Sequence, residues 1–98
     1  MDVTTEMTRQ RLSGTVLVMK RLSVTDRVAE VCAWIESGRA RELRMNSGIT
    51  QSEMARTCEV TQAAVLRWER NERRPRGRNA LTYHKALSRL AAREREAA

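Results

Sequence analysis

The chain has 98 residues; 32% are charged, only 3% are aromatic, and there is no Phe, one Pro and four Gly. That length suits one domain with a small core in which every apolar face is used, and the scarcity of aromatic residues argues against a β-sandwich and for helices with charged outer faces. A formal charge of +7 points to a nucleic acid, an acidic membrane surface or an acidic protein as partner.

Residues 1–22 show no helical periodicity. The run TVLVM (15–19) is a short strand or an extended arm, and is far below the ~18 apolar residues of a membrane span. This segment is expected to be a weakly ordered N-terminal arm, and MKRLSVTD from Met19 would also serve as a start of translation. Ser23 is placed to cap an extra N-terminal helix over about 24–36, within a segment 23–37. Its apolar positions are Val24, Val28, Val31, Cys32 and Ile35, a stripe on one side. The Val24, Val28, Val31, Ile35 spacing suits either packing on the chain's own domain or a homodimer seam. Charge balance over 23–37 is negative, with Arg27 against Asp26, Glu30 and Glu36. The basic character therefore lies with 38–98.

Gly38 interrupts. A second helix is expected over 39–47, with Ala40 and Leu43 inward and Arg39, Arg41 and Arg44 mostly outward. Gly48 suits the left-handed residue that ends it. Thr50-Gln51-Ser52-Glu53 has the form of a capping box, opening a helix 51–57 with Met54 and Ala55 inward. A turn of Cys58, Glu59 and Val60 follows. Thr61 caps a further helix, 62–70, anchored by Val65 and Trp68. Asn71 closes it and Pro75 forbids continuation. Asn79 is placed to cap a last helix, 79–92, with a stripe of Leu81, His84, Leu87, Leu90 and Ala91, and 93–98 is a charged tail. The reading is all-α: a compact bundle of about five short helices.

No nucleophile–base pair or carboxylate pair can be assembled, so the sequence gives catalysis nothing to rest on and the chain is not expected to be an enzyme. Cys32, Cys58 and His84 make no metal spacing, and no cofactor is implied. The cysteines are small buried hydrophobes, as in a reduced cytoplasm.

Two short helices joined by a three- or four-residue turn form the DNA-reading helix-turn-helix, whose second helix enters the major groove. ITQSEMARTCEVTQAAVLRWERNERRP resembles that of Cro and the lambda-type phage repressors, the XRE family. The resemblance covers about 38–90, within a DNA-binding domain over 38–92. It departs from the family at Glu59 and Asn71, where glycine is usual, and at Leu66, where a polar residue is usual.

The resemblance implies roles. Ala55, Val60, Val65 and Trp68 form the structural core of the motif. Gln62, Ala63 and Arg67 face base edges, and Leu66 either joins them or belongs partly to the core. Gln51, Arg70, Arg73, Arg74 and Arg76 lie at phosphates. Arg44 pairs with Glu69, tying two helices. The expected function is a sequence-specific, double-stranded DNA-binding transcriptional regulator. It would be a small phage- or plasmid-type repressor acting as a dimer on a DNA operator, in a bacterial cytoplasm, nucleoid-associated and without membrane. The alternative is an antitoxin-like module whose N-terminal segment binds a protein partner. A nonspecific architectural DNA binder is a third possibility.

Overall fold

A computed structural model describes residues 23–97; the arm expected over 1–22, and Ala98, lie outside the described residues. Five helices follow one another: α1 Val24–Ser37, α2 Arg39–Asn46, α3 Gln51–Cys58, α4 Gln62–Glu69 and α5 Arg78–Ala97. No strand occurs among the described residues, so the architecture is all-α.

Short polar side chains set the helix starts. The Ser23 hydroxyl accepts from the Asp26 N–H at 3.1 Å and the Asp26 carboxylate accepts in return from the Ser23 N–H. Thr50 and Glu53 repeat this capping box at α3, at 3.1 and 2.9 Å. These bonds, first the backbone N–H of Thr50 and then its hydroxyl, hold the Glu53 carboxyl below its usual range. The contribution of that box is therefore present at neutral pH and is lost as pH falls through the carboxylate range. At α4, Thr61 accepts from the Ala64 N–H at 3.1 Å.

One repeated device sets the ends of α2, α3 and α4. A left-handed residue follows each helix, its N–H returns to a carbonyl three residues back, and the next N–H reaches five back. Gly48, Glu59 and Asn71 are those residues, with φ of 73°, 58° and 57°. The longer bonds are Ile49 to Arg44, Val60 to Ala55 and Glu72 to Arg67, at 3.2, 2.9 and 2.9 Å. This is the Schellman pattern, which satisfies carbonyls that a helix end otherwise orphans. Glycine holds the left-handed conformation freely and Asn at modest cost, whereas Glu59 carries the full Cβ penalty.

Helices of eight residues do not persist alone in water, so α2, α3 and α4 depend on packing. The longest helix, α5, is the spine against which α1, α2 and α3 pack, while α3 packs on α4 and α1 on α2. The core gathers Val31 and Ile35 from α1, Ala40 and Leu43 from α2, and Met54, Ala55 and Cys58 from α3. Val65 and Trp68 come from α4, and Ala80, Tyr83, Leu87, Leu90 and Ala91 from α5. Burial pushes the Cys58 thiol up to about 11, which keeps it protonated and unreactive.

One open alternative is decided and three expectations need correction. The seam Val24, Val28, Val31, Ile35 is not free to join two copies. Val31 is fully buried and Ile35 nearly so inside the chain's own core, Val28 packs against it, and only Val24 is well exposed. Asn79 does not cap α5. The helix begins one residue earlier: the Arg76 carbonyl accepts from the Asn79 N–H, and the Gly77 carbonyl from the N–H groups of Ala80 and Leu81. The buried face of α5 includes Ala80 and Tyr83, with Leu81 only half-buried. The helix also runs beyond residue 92 to Ala97; Glu94, in that extension, bonds the Arg39 guanidinium at 2.7 Å.

His84, on the buried face of α5, fixes α1. Its ring stacks on Trp34 with centroids 5.4 Å apart and planes 4° from parallel. Its Nε2 lies 2.7 Å from the Glu30 carboxylate.

Glu59→Gly relieves the left-handed strain at the end of α3. It is expected to raise the unfolding free energy by roughly 0.5–1 kcal/mol, read as a higher urea midpoint. An unchanged or lower midpoint would mean that the turn is not strained.

Candidate nucleic-acid interface

The pair α3–α4 is set by what faces inward. Ala55 is buried and small, which lets the two helices cross closely, and Val60, half-buried, plugs the turn against the core. On α4, Val65 is fully buried and Trp68 is 4% exposed. The Trp68 ring packs on Tyr83 of α5, with centroids 4.9 Å apart and planes tilted by 44°. Burying side chains of this size contributes roughly 1.5–3 kcal/mol each, far more than an eight-residue helix gains from its own backbone. Burial pushes the Tyr83 hydroxyl's pKa up, helped by the nearby Glu69 carboxylate.

Beside this apolar clamp lies a polar one. Arg44, expected on the outer side of α2, is buried instead, because its guanidinium is occupied on three sides. Its Nε and Nη2 donate to the two carboxylate oxygens of Glu69 at 2.5 and 3.0 Å, and its Nη1 donates to the Ile49 carbonyl at 2.7 Å. The Glu69 bonds raise the Arg44 pKa further, against the opposing effect of burial. Gln51 adds a fourth member, its Nε2 donating to Glu69 Oε1 at 3.1 Å. Four segments meet here: α2, the loop after it, the start of α3 and the end of α4. Gln51 is half-buried, so one of its amide N–H groups is engaged within the fold.

The opposite side of α4 is open. Gln62, Ala63, Arg67 and Arg70 are exposed, as are Arg73, Arg74 and Arg76 beyond the helix. Leu66 is half-buried. Arg67, Arg73, Arg74 and Arg76 line a groove of about 450 Å³ with Thr61, Ala64, Trp68, Pro75 and Asn79. A second hollow, of about 320 Å³, is lined by Arg41, Gln51, Leu66, Glu69 and Arg70. Among the described residues no carboxylate lies within ion-pair distance of Arg67, Arg70, Arg73 or Arg76. Apart from Arg74, the surface is a row of cations whose charge the fold leaves unanswered.

Two residues that touch this surface were missed from the sequence. The Ser52 hydroxyl donates to Gln62 Oε1 at 3.1 Å, which engages the oxygen end of the exposed Gln62 amide. Glu36, at the end of α1, pairs with Arg74 across 38 positions of sequence. No local spacing signals either contact, since both depend on how separate helices are brought together.

A family model described as helix-turn-helix matches residues 41–89, half of the chain and the whole of α3, α4 and the turn between them. Neither the curated proteins nor the solved structures give a match. No helix among the described residues is long and apolar enough to cross a membrane.

Removing one partner of a buried ion pair leaves the other charge uncompensated. Glu69→Gln is expected to lower stability by about 3 kcal/mol, and the double change Arg44→Met with Glu69→Leu to recover most of it. Urea denaturation checks both. A Glu69→Gln loss below about 0.5 kcal/mol, the range of an exposed pair, would place the pair in solvent rather than in the clamp.

Proposed function

The chain belongs to the helix-turn-helix family of the Cro and lambda-repressor (XRE) type, a family of DNA-binding transcriptional regulators, and on that premise we propose that it is a sequence-specific repressor that binds an operator as a symmetric dimer. The recognition helix is α4, laid in the major groove with Gln62, Ala63, Leu66 and Arg67 toward base edges. Gln51, Arg70, Arg73, Arg74 and Arg76 take phosphates. One observation carries the reading: Val65 and Trp68 hold one side of α4 in the core, while the other side is exposed and lined with arginines lacking acidic partners.

The chemistry of that side is suited to reading a duplex. Arg67 can bond guanine at O6 and N7 in bidentate fashion, and a good pair of this kind contributes roughly 1–3 kcal/mol of discrimination. Gln62, with Oε1 accepting from Ser52, offers its NH2 to purine acceptors. Ala63 and Leu66 suit a thymine methyl. Phosphate contacts fix position and register without reading sequence.

One helix reads only a few base pairs, so a second copy on a half-site about one helical turn away supplies the missing selectivity. The apolar stripe of α1, which motivated an antitoxin-like reading, packs into the chain's own core and gives that alternative no support. The proposed setting is a bacterial cytoplasm, without catalysis or a cofactor.

Selection of bound sites from a random duplex pool tests this reading. An inverted repeat is expected, with Gln62→Ala and Arg67→Ala each relaxing preference at one position per half-site. A pool without enrichment, or a preferred site unchanged when both residues are replaced, would refute it.

Glu36 competes with phosphate for Arg74. Glu36→Gln is therefore expected to tighten binding a few-fold at low salt, with the gain fading as salt rises. Fluorescence anisotropy across a salt series reads this; equal affinities for both proteins at low salt would mean that Arg74 does not meet the backbone.

A further inference from the structure

We infer that α2 supplies a phosphate contact through Arg41, which with Arg70 forms a second cationic seat on the flank of α4 opposite Arg73, Arg74 and Arg76. The inference rests on α4 entering the major groove as proposed above.

The three arginines of α2 have different fates. Arg39 bonds Glu42 and Glu94. Arg44 is buried on Glu69. Arg41 is exposed, and among the described residues no carboxylate pairs with it. The fold neutralises two of the three and leaves the third facing the hollow it shares with Gln51, Leu66, Glu69 and Arg70.

Glu69 does not cancel that charge. Both its oxygens are engaged by Arg44, one also by Gln51, and its side chain is 1% exposed. What the hollow offers to an incoming group is two guanidinium groups and the Gln51 amide, a donor set matched to a phosphate diester.

The position of the hollow gives the seat its meaning. At about 100° per residue, Leu66, Glu69 and Arg70 share one flank of α4, while Thr61, Ala64, Arg67 and Trp68 share the other. The two cationic recesses therefore straddle the recognition helix. The major groove is about 12 Å wide and is bordered by one phosphate backbone on each side. A helix lying in it with cations on both flanks grips both strands. With Arg73, Arg74 and Arg76 alone it grips one.

The test uses the full chain and its selected duplex, with affinity measured across a salt series. Arg41→Ala is expected to weaken binding roughly three- to tenfold at about 0.1 M salt and to reduce the slope of log K against log salt by about one. It leaves the base preference and the thermal midpoint unchanged. Arg41→Lys, which keeps the charge, retains the slope. Arg76→Ala, on the other flank, is the control. If Arg76→Ala lowers the slope and Arg41→Ala does not, the second seat is wrong and the reading of α4 stands. If neither variant lowers the slope, both the seat and the placement of α4 in the groove fall together.

Discussion

A buried arginine–glutamate pair organises this protein. Arg44 and Glu69 are 25 residues apart, yet they meet with two hydrogen bonds, and the remaining polar capacity goes to the Ile49 carbonyl and the Gln51 amide. An isolated charge in that position would be expelled or neutralised. Together the two fix α4 relative to α2 and α3, because the planar fork of the guanidinium accepts a carboxylate in few orientations. The orientation of α4 about its own axis follows, and that angle decides which residues are offered to the outside.

Apolar packing and polar pairing act on adjacent parts of α4. Trp68 seals against Tyr83 one residue before Glu69 enters its ion pair, so the end of the helix is held by two different kinds of force. The beginning is held by the Thr61 cap and by Val60 beneath the turn. Nothing comparable restrains the outer side. The same sequence, QAAVLRWE, thus serves a core and a charged surface without conflict, because helical periodicity separates its two sets of residues. Net charge follows the same division. Acidic residues bond arginines that hold the fold, such as Glu69 with Arg44 and Glu94 with Arg39, and most arginines beside α4 have none.

Much of this was legible in the chain because it is local. The capping box at Thr50, the caps at Ser23 and Thr61, the turn residues and the four helix starts from α1 to α4 are encoded within a few positions. The left-handed residues after α2, α3 and α4 stand at Gly48, Glu59 and Asn71, and their spacing marks the ends even where glycine is replaced. What was not legible depends on distance. A stripe of valines on α1 suits an internal core or a second copy equally well, and the meeting of α1 with α5 decides between them. The start of α5 was misplaced by one residue because Asn79 is a good cap by type, whereas Gly77 holds that role by position. Ser52, Glu36 and Arg41 have no motif of their own. Their significance comes from the groups that packing sets beside them, or, for Arg41, from the acids that packing assigns elsewhere.

The central claim is that α4 keeps its inner side closed and presents its outer side to duplex DNA. Heteronuclear NMR of the labelled chain, titrated with its selected duplex, addresses this directly. The account predicts perturbations concentrated at Gln62, Ala63, Arg67 and Arg70, with the Trp68 indole and the Leu87 methyls unmoved. Strong shifts of Trp68, Tyr83 and Leu87, with the outer residues of α4 silent, would contradict it.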